Sequence, residues 1–476
     1  MAEEHKAAVI AHPAAGTTEE SRPAAPPPAE EDGAFLDRLA AEAVGADRLK
    51  KELDRILSEL EVLRSENRWQ EMVDLFHPVE ERVPELEEAG LGFAVRSEIA
   101  FAMGHLGRHE EAIELALRCV EERPDDFQAH AGLAYAAYDS LYAAKNRRIL
   151  LHPEEKKSRI ELAHKHFAKA QELRPDGVTN FYRQGMLYKA IQNKPDRALP
   201  LFETAVRNWD RLDEGQKKAR HQERKNFIKA LYQAASCHQK AGRNAEALQR
   251  LERCIEEDRE SGHLSVTHKY FALGKIHFST GDYQKARHAL EFAAAQADPA
   301  DHDYVFELLA RTALAQGAPD QARRSLERIP GNRRRPYVLW TEADLLLAEG
   351  KTTQARAVLK KAAEKDRRGR HKALLRLARL DFRENDYQAC LTHCGEADRF
   401  CRTTYGNPCD EALFWKAAAL LRLDRPREAW QAVRDLEAFR PRYPHLLPLK
   451  KKIAAELARQ KKNAQREPGK SPPTPL

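Results

Sequence analysis

Four cysteines fall in one short stretch near the end of the chain, CLTHCGEADRFCRTTYGNPC: Cys390, Cys394, Cys401 and Cys409, with His393 between the first two. On a helix that turns about 100° per residue, the first three lie within about 40° of one another. Cys409 can return from the loop that follows. Thiolates grouped in this way can hold zinc tetrahedrally. The spacing is not that of a zinc ribbon, which uses two short pairs, and a buried free cysteine packs as a small hydrophobe. Packing is the favoured reading, with zinc and a disulfide as the alternatives; no metal or cofactor is assigned.

The second group is cationic. Arg376, Arg379 and Arg383 follow i, i+3, i+7 spacing, with Lys372 one turn before Arg376, so they form one stripe on a helix. Guanidinium forks pair with carboxylates or phosphates. A stripe of like charges repels itself, so an anion is expected across it. The stripe belongs to a wider asymmetry. Residues 1–130 hold 30 acidic and 14 basic side chains, which leaves 44 acidic and 66 basic in the remainder and hides a dipolar chain behind a formal charge of +6. Basic runs such as QKKARHQERKNFIK, GNRRRP, KDRRGRHK and LKKKIAAELARQKK all lie in the later part. Taken singly, such runs are ordinarily solvated faces.

Catalytic patterns are scarce. The chain has no G-x-x-x-x-G-K-[ST], no G-x-S-x-G and no H-E-x-x-H. His164 and His166 are two residues apart, face different sides of a helix and cannot share a metal. An enzymatic role, for instance a cysteine nucleophile served by a distant histidine, ranks last, and the chain reads as a non-enzyme.

The elements that must position these groups are visible in a recurring spacing. A small residue stands five places after a turn residue in Gly107/Ala112, Asn193/Ala198, Gly242/Ala247, Gly281/Ala286, Gly317/Ala322, Gly350/Ala355, Asn385/Cys390 and Asp424/Ala429. From residue 242 the turns are 39, 36, 33, 35 and 39 positions apart. Around Gly281, in HKYFALGKIHFSTGDYQKARHALEFAAAQADP, apolar stripes at helical spacing flank the turn, with glycine or alanine where helices approach closely. A repeat of this length gains stability only by stacking on neighbours. Cys119 and Cys254 sit at small packing positions of other units, which favours packing for the cysteine group as well.

These units, the GDYQKA unit above all, resemble the tetratricopeptide repeat family, whose unit is a pair of antiparallel helices. FAMGHLGRHEEAIELALRCVEERP ends in Pro124, and Pro175 and Pro441 close two other units similarly. The resemblance implies an all-α, right-handed superhelical solenoid of about nine or ten helix pairs. Two units depart from the pattern: SENRWQEMVDLF has Met72 where a small residue belongs, and the unit centred on Ser158/Ala163 carries an insertion. The expected organisation is a disordered Ala/Pro/Glu-rich tail over 1–33, N-terminal helices and a divergent first pair over 34–93, and the repeat array over 94–441. A capping helix over 442–462 and a disordered basic, Pro-rich tail over 463–476 complete it.

In this family the first helix of each pair lines a concave groove. The corresponding positions here are Lys229, Tyr232, Gln233 and Lys240; Phe271, Lys275 and Phe278; Glu307 and Arg311; Tyr337, Trp340 and Asp344; Lys372, Arg376, Arg379 and Arg383; and Trp415 and Arg422. The groove mixes aromatics with cations, which implies an adaptor or scaffold that binds an acidic peptide or protein segment. Single-stranded RNA or DNA is the alternative, because bases stack on aromatics while cations track the backbone. The Lys and Asn clamp with which some members hold a C-terminal carboxylate is absent: Tyr182/Met186, Tyr232/Ser236 and Phe271/Lys275 stand in its place. No secretory signal and no membrane-length apolar stretch is seen, so the expected location is the cytoplasm, with no membrane partner.

Overall fold

The computed structural model describes residues 30–466. The parts of the two expected tails at 1–29 and 467–476 lie outside the described residues. The first helix begins at Glu30 and the last ends at Arg466, so both run into segments expected as tail. Every regular element among the described residues is helical, and consecutive helices pair through short turns. Among these residues no helix is long and apolar enough to cross a membrane. The chain divides into two compact units between Leu173 and Arg174.

The turn and small residues explain why the pairs form. All eight turn residues have positive φ, from 55° at Asn193 to 81° at Gly281. Gly281 closes the helix Val266–Thr280 in the left-handed conformation, where a residue without Cβ pays no steric penalty. All eight small residues, Ala112, Ala198, Ala247, Ala286, Ala322, Ala355, Cys390 and Ala429, are fully buried. The helices approach closely at Gly274, where an added Cβ would lie 2.6 Å from Leu290 Cγ and 3.2 Å from the Ala286 carbonyl oxygen.

In the first unit, the long helix Glu30–Ser65 precedes Trp69–Phe76, two short helical turns, and the pairs Gly92–His105 with His109–Glu122 and Phe127–Lys145 with Pro153–Leu173. Met72 is fully buried in a core with Ile56, Leu60, Val95 and Ile99. The large residue at a small position goes with a second helix that is broken into short pieces. Arg96 is buried here between Glu87 and Glu122, and its Nη1 donates to Glu122 Oε2 at 2.6 Å.

In the second unit, seven helix pairs run from Thr179 to Phe439 and are followed by Leu446–Arg466. The first helix of the first pair is irregular: Thr179–Met186 continues into a π turn over Leu187–Ile191. Asp258 closes the loop after Asn244–Glu257. It is fully buried and accepts from Ser261 Oγ, the His263 and Leu264 amides, and Lys269 Nζ at 2.7 to 2.9 Å. On the last helix Leu446, Leu449 and Ile453 cover the preceding pair, at i, i+3, i+7. Leu447, about 100° round the helix from Leu446, stays 63% exposed.

Candidate functional site

All the expected groove residues lie in the second unit, on the first helices of its pairs. The densest part surrounds Trp340 on the helix Pro336–Ala348. Lys372 Nζ lies 5.4 Å and the Arg376 guanidinium 5.2 Å from its ring centroid, both from the next first helix, Arg370–Arg383. Cations so placed are drawn to the indole quadrupole, more strongly when partly desolvated. One pair back, the Arg311 guanidinium sits 4.9 Å from the Phe278 ring.

The arginine stripe is not bare. Arg376 Nε lies 3.8 Å from Asp344 Oδ1, Arg379 pairs with Glu411, and Arg311 Nε lies 3.8 Å from Glu307 Oε1. Thr341 Oγ1 donates to Glu307 at 2.5 Å. Burial holds the Glu307 and Asp344 carboxyls above their ordinary range, although the nearby arginines pull the other way. Burial also lowers the Arg376 guanidinium. The acids come from helices before and after the stripe, so reading that one helix alone suggests a more naked charge than the fold presents.

The remaining expected residues divide by depth. Tyr337 donates its hydroxyl to Asp303 Oδ1 at 2.6 Å, and burial followed by that bond pushes its pKa up. Phe271 packs edge-on to Tyr304 at 4.6 Å and Trp415 to Phe382 at 5.2 Å. Tyr232 packs against the core, and burial raises its hydroxyl to about 12. These four aromatics are half-buried, as Trp340 is, and each has a packing or hydrogen-bond partner within the fold. Arg379, Arg383 and Arg422 are exposed.

A different cationic group lies toward the start of this unit. Lys189, in the π turn, donates to Gln233 Oε1 at 2.6 Å and to the Gln233 carbonyl at 3.2 Å. Burial pushes its ammonium down to about 8, with Lys240 and Lys275 adding to the shift. Lys229 and Lys275 are lowered by burial too. Lys229, Gln233, Lys240 and Lys275 were expected in the groove, but Lys189 was not. The groove positions elsewhere stand 13, 10, 9, 6, 3 or 2 residues before the turn, whereas Lys189 stands four before Asn193, inside the π turn. Nothing in the periodicity signals that shift.

Cys390, Cys394, Cys401 and Cys409 are buried in one apolar cluster as free thiols. The thiol of Cys390 lies against that of Cys394 and raises its pKa, and burial raises Cys401 and lifts Cys409 to about 12. The Cys394, Cys401 and Cys409 thiols are thereby kept protonated and poor nucleophiles. His393 turns away from them and donates Nδ1–H to buried Asp381 at 2.6 Å. Among the described residues, no group of three or more His, Cys, Asp or Glu side chains is placed to hold a metal ion.

Residues 216–381 match the sequence model of the tetratricopeptide repeat-like domain. No curated protein matches the chain in sequence. Among solved structures, yeast Tom70 is similar at 13% identity and a TM-score of 0.41, over 88% of this chain and 100% of that one. The pilF protein of Pseudomonas aeruginosa is similar at 14% identity and a TM-score of 0.37, over 50% and 89%. YrrB, described as a TPR protein with an unusual peptide-binding site, is similar at 18% identity and a TM-score of 0.33, over 50% and 97%.

Proposed function

The chain carries tetratricopeptide-like repeats, and we propose that it is a non-enzymatic adaptor whose second unit binds an acidic protein segment. The observation that carries this reading is the Trp340 layer. An indole is flanked by Lys372 and Arg376, and Arg383 and Arg379 extend the same stripe. An apolar side chain of the partner meets the indole, while its carboxylates meet the guanidinium forks. Asp344 meets Arg376, Glu411 meets Arg379 and Glu307 meets Arg311, three acids against Arg311, Lys372, Arg376, Arg379 and Arg383, so the layer stays net cationic and keeps its cations oriented before the partner arrives.

Pull-down of partners from intact and nuclease-treated lysate tests the reading. The parent recovers the same protein partner from both. Arg376→Gln, Arg379→Gln and Arg383→Gln combined lose it without a change in melting, whereas Gln at Arg323 and Arg324, on the second helix Pro319–Glu327, keeps it. Unaltered recovery by the triple variant contradicts the reading. Recovery that disappears with nuclease, together with steep weakening by salt, moves the function to nucleic acid.

A further inference from the structure

In the first unit, the helix Phe127–Lys145 packs its buried faces around Leu133, Ala137 and Leu141. Along the stripe it leaves accessible stand Gln128, Ala131, Tyr135, Tyr138, Tyr142 and Lys145, in alternating steps of three and four. Half of that stripe is tyrosine. Tyr135 stacks on Phe101, from the first helix of the preceding pair, Gly92–His105, at 5.5 Å and 26°. Tyr138 lies 6.5 Å from Tyr135 and Tyr142 lies 6.0 Å from Tyr138, while buried Phe167 meets Tyr138 edge-on at 6.4 Å and holds it in place. Beyond Phe101 the row continues through His105 at 4.7 Å to Trp69, whose ring lies parallel to the imidazole at 4.2 Å. Trp69, Phe101, Tyr135 and Tyr138 are half-buried, and His105 and Tyr142 are exposed. Phe101 and Tyr135 also line a crevice of about 30 Å³ whose other walls include Ser97, Gly104, Gly132 and Asp139. Rings that hold one another in this way offer flat contact area with little side-chain entropy left to lose.

We propose that this row of rings binds an extended, proline-rich segment of a partner protein that carries lysine or arginine beside its prolines. Tyr135 and Tyr142 are two helical turns apart, about 10.5 Å, and within about 20° of each other round the axis. Residues i and i+3 of a polyproline helix are about 9.3 Å apart and share a face. Successive prolines therefore meet successive rings, the way proline-rich segments dock on aromatic surfaces. The crevice is too small for the branched or aromatic anchors of an amphipathic helix, whereas a pyrrolidine ring enters it only by its edge. Charge selects the flanks. Asp139 lines the crevice, and residues 1–130 carry 30 acidic against 14 basic side chains. Of the two cations at the row, Arg64 over Phe101 is paired with Glu98 at 3.2 Å, and Lys145 lies over Tyr142 at the far end. A basic flank is drawn to this face and an acidic one is repelled, the reverse of the Trp340 layer in the other unit.

The test is fluorescence anisotropy of a labelled peptide, KPPAPPAPPK, titrated with the full chain and compared with KAAAAAAAAK and EPPAPPAPPE. The first should bind roughly tenfold more tightly than either of the others. Tyr142→Ala, at a position 38% exposed, should weaken it several-fold without a change in melting. Gly132→Leu should block the crevice: a Cβ there meets nothing within 4 Å, and leucine favours helix over glycine, so binding falls while the melting temperature does not. Asp139→Asn should narrow the gap between KPPAPPAPPK and EPPAPPAPPE. The variant with Gln at Arg376, Arg379 and Arg383 should bind as the parent does. Absence of binding, or binding untouched by both Tyr142→Ala and Gly132→Leu, overturns the proposal. So does equal or tighter binding of KAAAAAAAAK, which makes a helix the occupant, or of EPPAPPAPPE. Loss in the arginine triple variant moves the binding to the second unit and overturns it as well.

Discussion

His166 donates its Nδ1–H to Nδ1 of His130 across 2.8 Å in the interior of the first unit. The direction follows from the far side of the second ring, where His130 Nε2 lies 2.8 Å from the Pro124 carbonyl oxygen. A carbonyl only accepts, so Nε2 carries the proton and Nδ1 of His130 is left as the acceptor. The pair ties the inner helix Phe127–Lys145 to Pro153–Leu173 in one protonation state.

Acid should therefore loosen this unit. Burial, then His130 and Lys165, push His166 down from 6.5 to about 4. A histidine kept neutral in the folded state contributes its full stability above about 6.5, and this is lost as pH falls toward about 4, because the unfolded chain takes up the proton first. Hydrogen exchange of the full chain should show faster opening of the pair 127–173 at the acid end of that window. His166→Gln should flatten the dependence; an unchanged pH profile in that variant refutes the assignment.

Enlarging a small position should be costly. Ala286 is fully buried and its carbonyl crowds Gly274. Ala286→Leu should destabilise by about 1–3 kcal/mol through overpacking. Gly274→Ala must displace the Leu290 side chain, whereas Ala315→Leu, on an exposed site, should leave the midpoint unchanged. Denaturant midpoints of the three variants decide it.

The cysteine cluster should behave as core. Cys390→Ala and Cys394→Ala should each cost roughly 1 kcal/mol for the volume removed, and a thiol reagent should titrate these cysteines only after unfolding. Elemental analysis provides the counter-test: stoichiometric zinc, lost on Cys401→Ser or Cys409→Ser, would reverse the packing assignment.

Breaking the buried ion pair should be more damaging. Asp258 and Lys269 are both buried and 2.8 Å apart. Asp258→Ala strands the ammonium and three other donors, and should cost about 3–5 kcal/mol. A loss below that of Cys390→Ala, measured by denaturant unfolding, would show that water reaches Lys269.

The repeat itself was legible because it is written in the backbone. A positive φ followed five residues later by a contact without room for a side chain restricts both positions to few residue types, and all eight pairs hold. The groove was legible only in direction. Fixed offsets say which way Tyr337, Phe271 and Trp415 point, but not that Asp303, Tyr304 and Phe382 already occupy them. The register places Asp344 in the groove, but it does not say that Asp344 and Glu411, from neighbouring helices, pair with the arginine stripe. Lys189 was hidden for a different reason: a local change of helix type leaves no periodic trace.

That π turn also shows how the array absorbs an error of count. Leu187–Ile191 takes up an extra residue, yet Asn193 still turns with φ 55° and Ala198 is still fully buried five places on. A length change inside a first helix is thus confined to its own repeat and rotates only the side chains on one side of it. For such a scaffold, single-residue insertions are a route to new surface chemistry that leaves the stacking frame untouched, a kind of variation that a protein with one interlocked core would seldom survive.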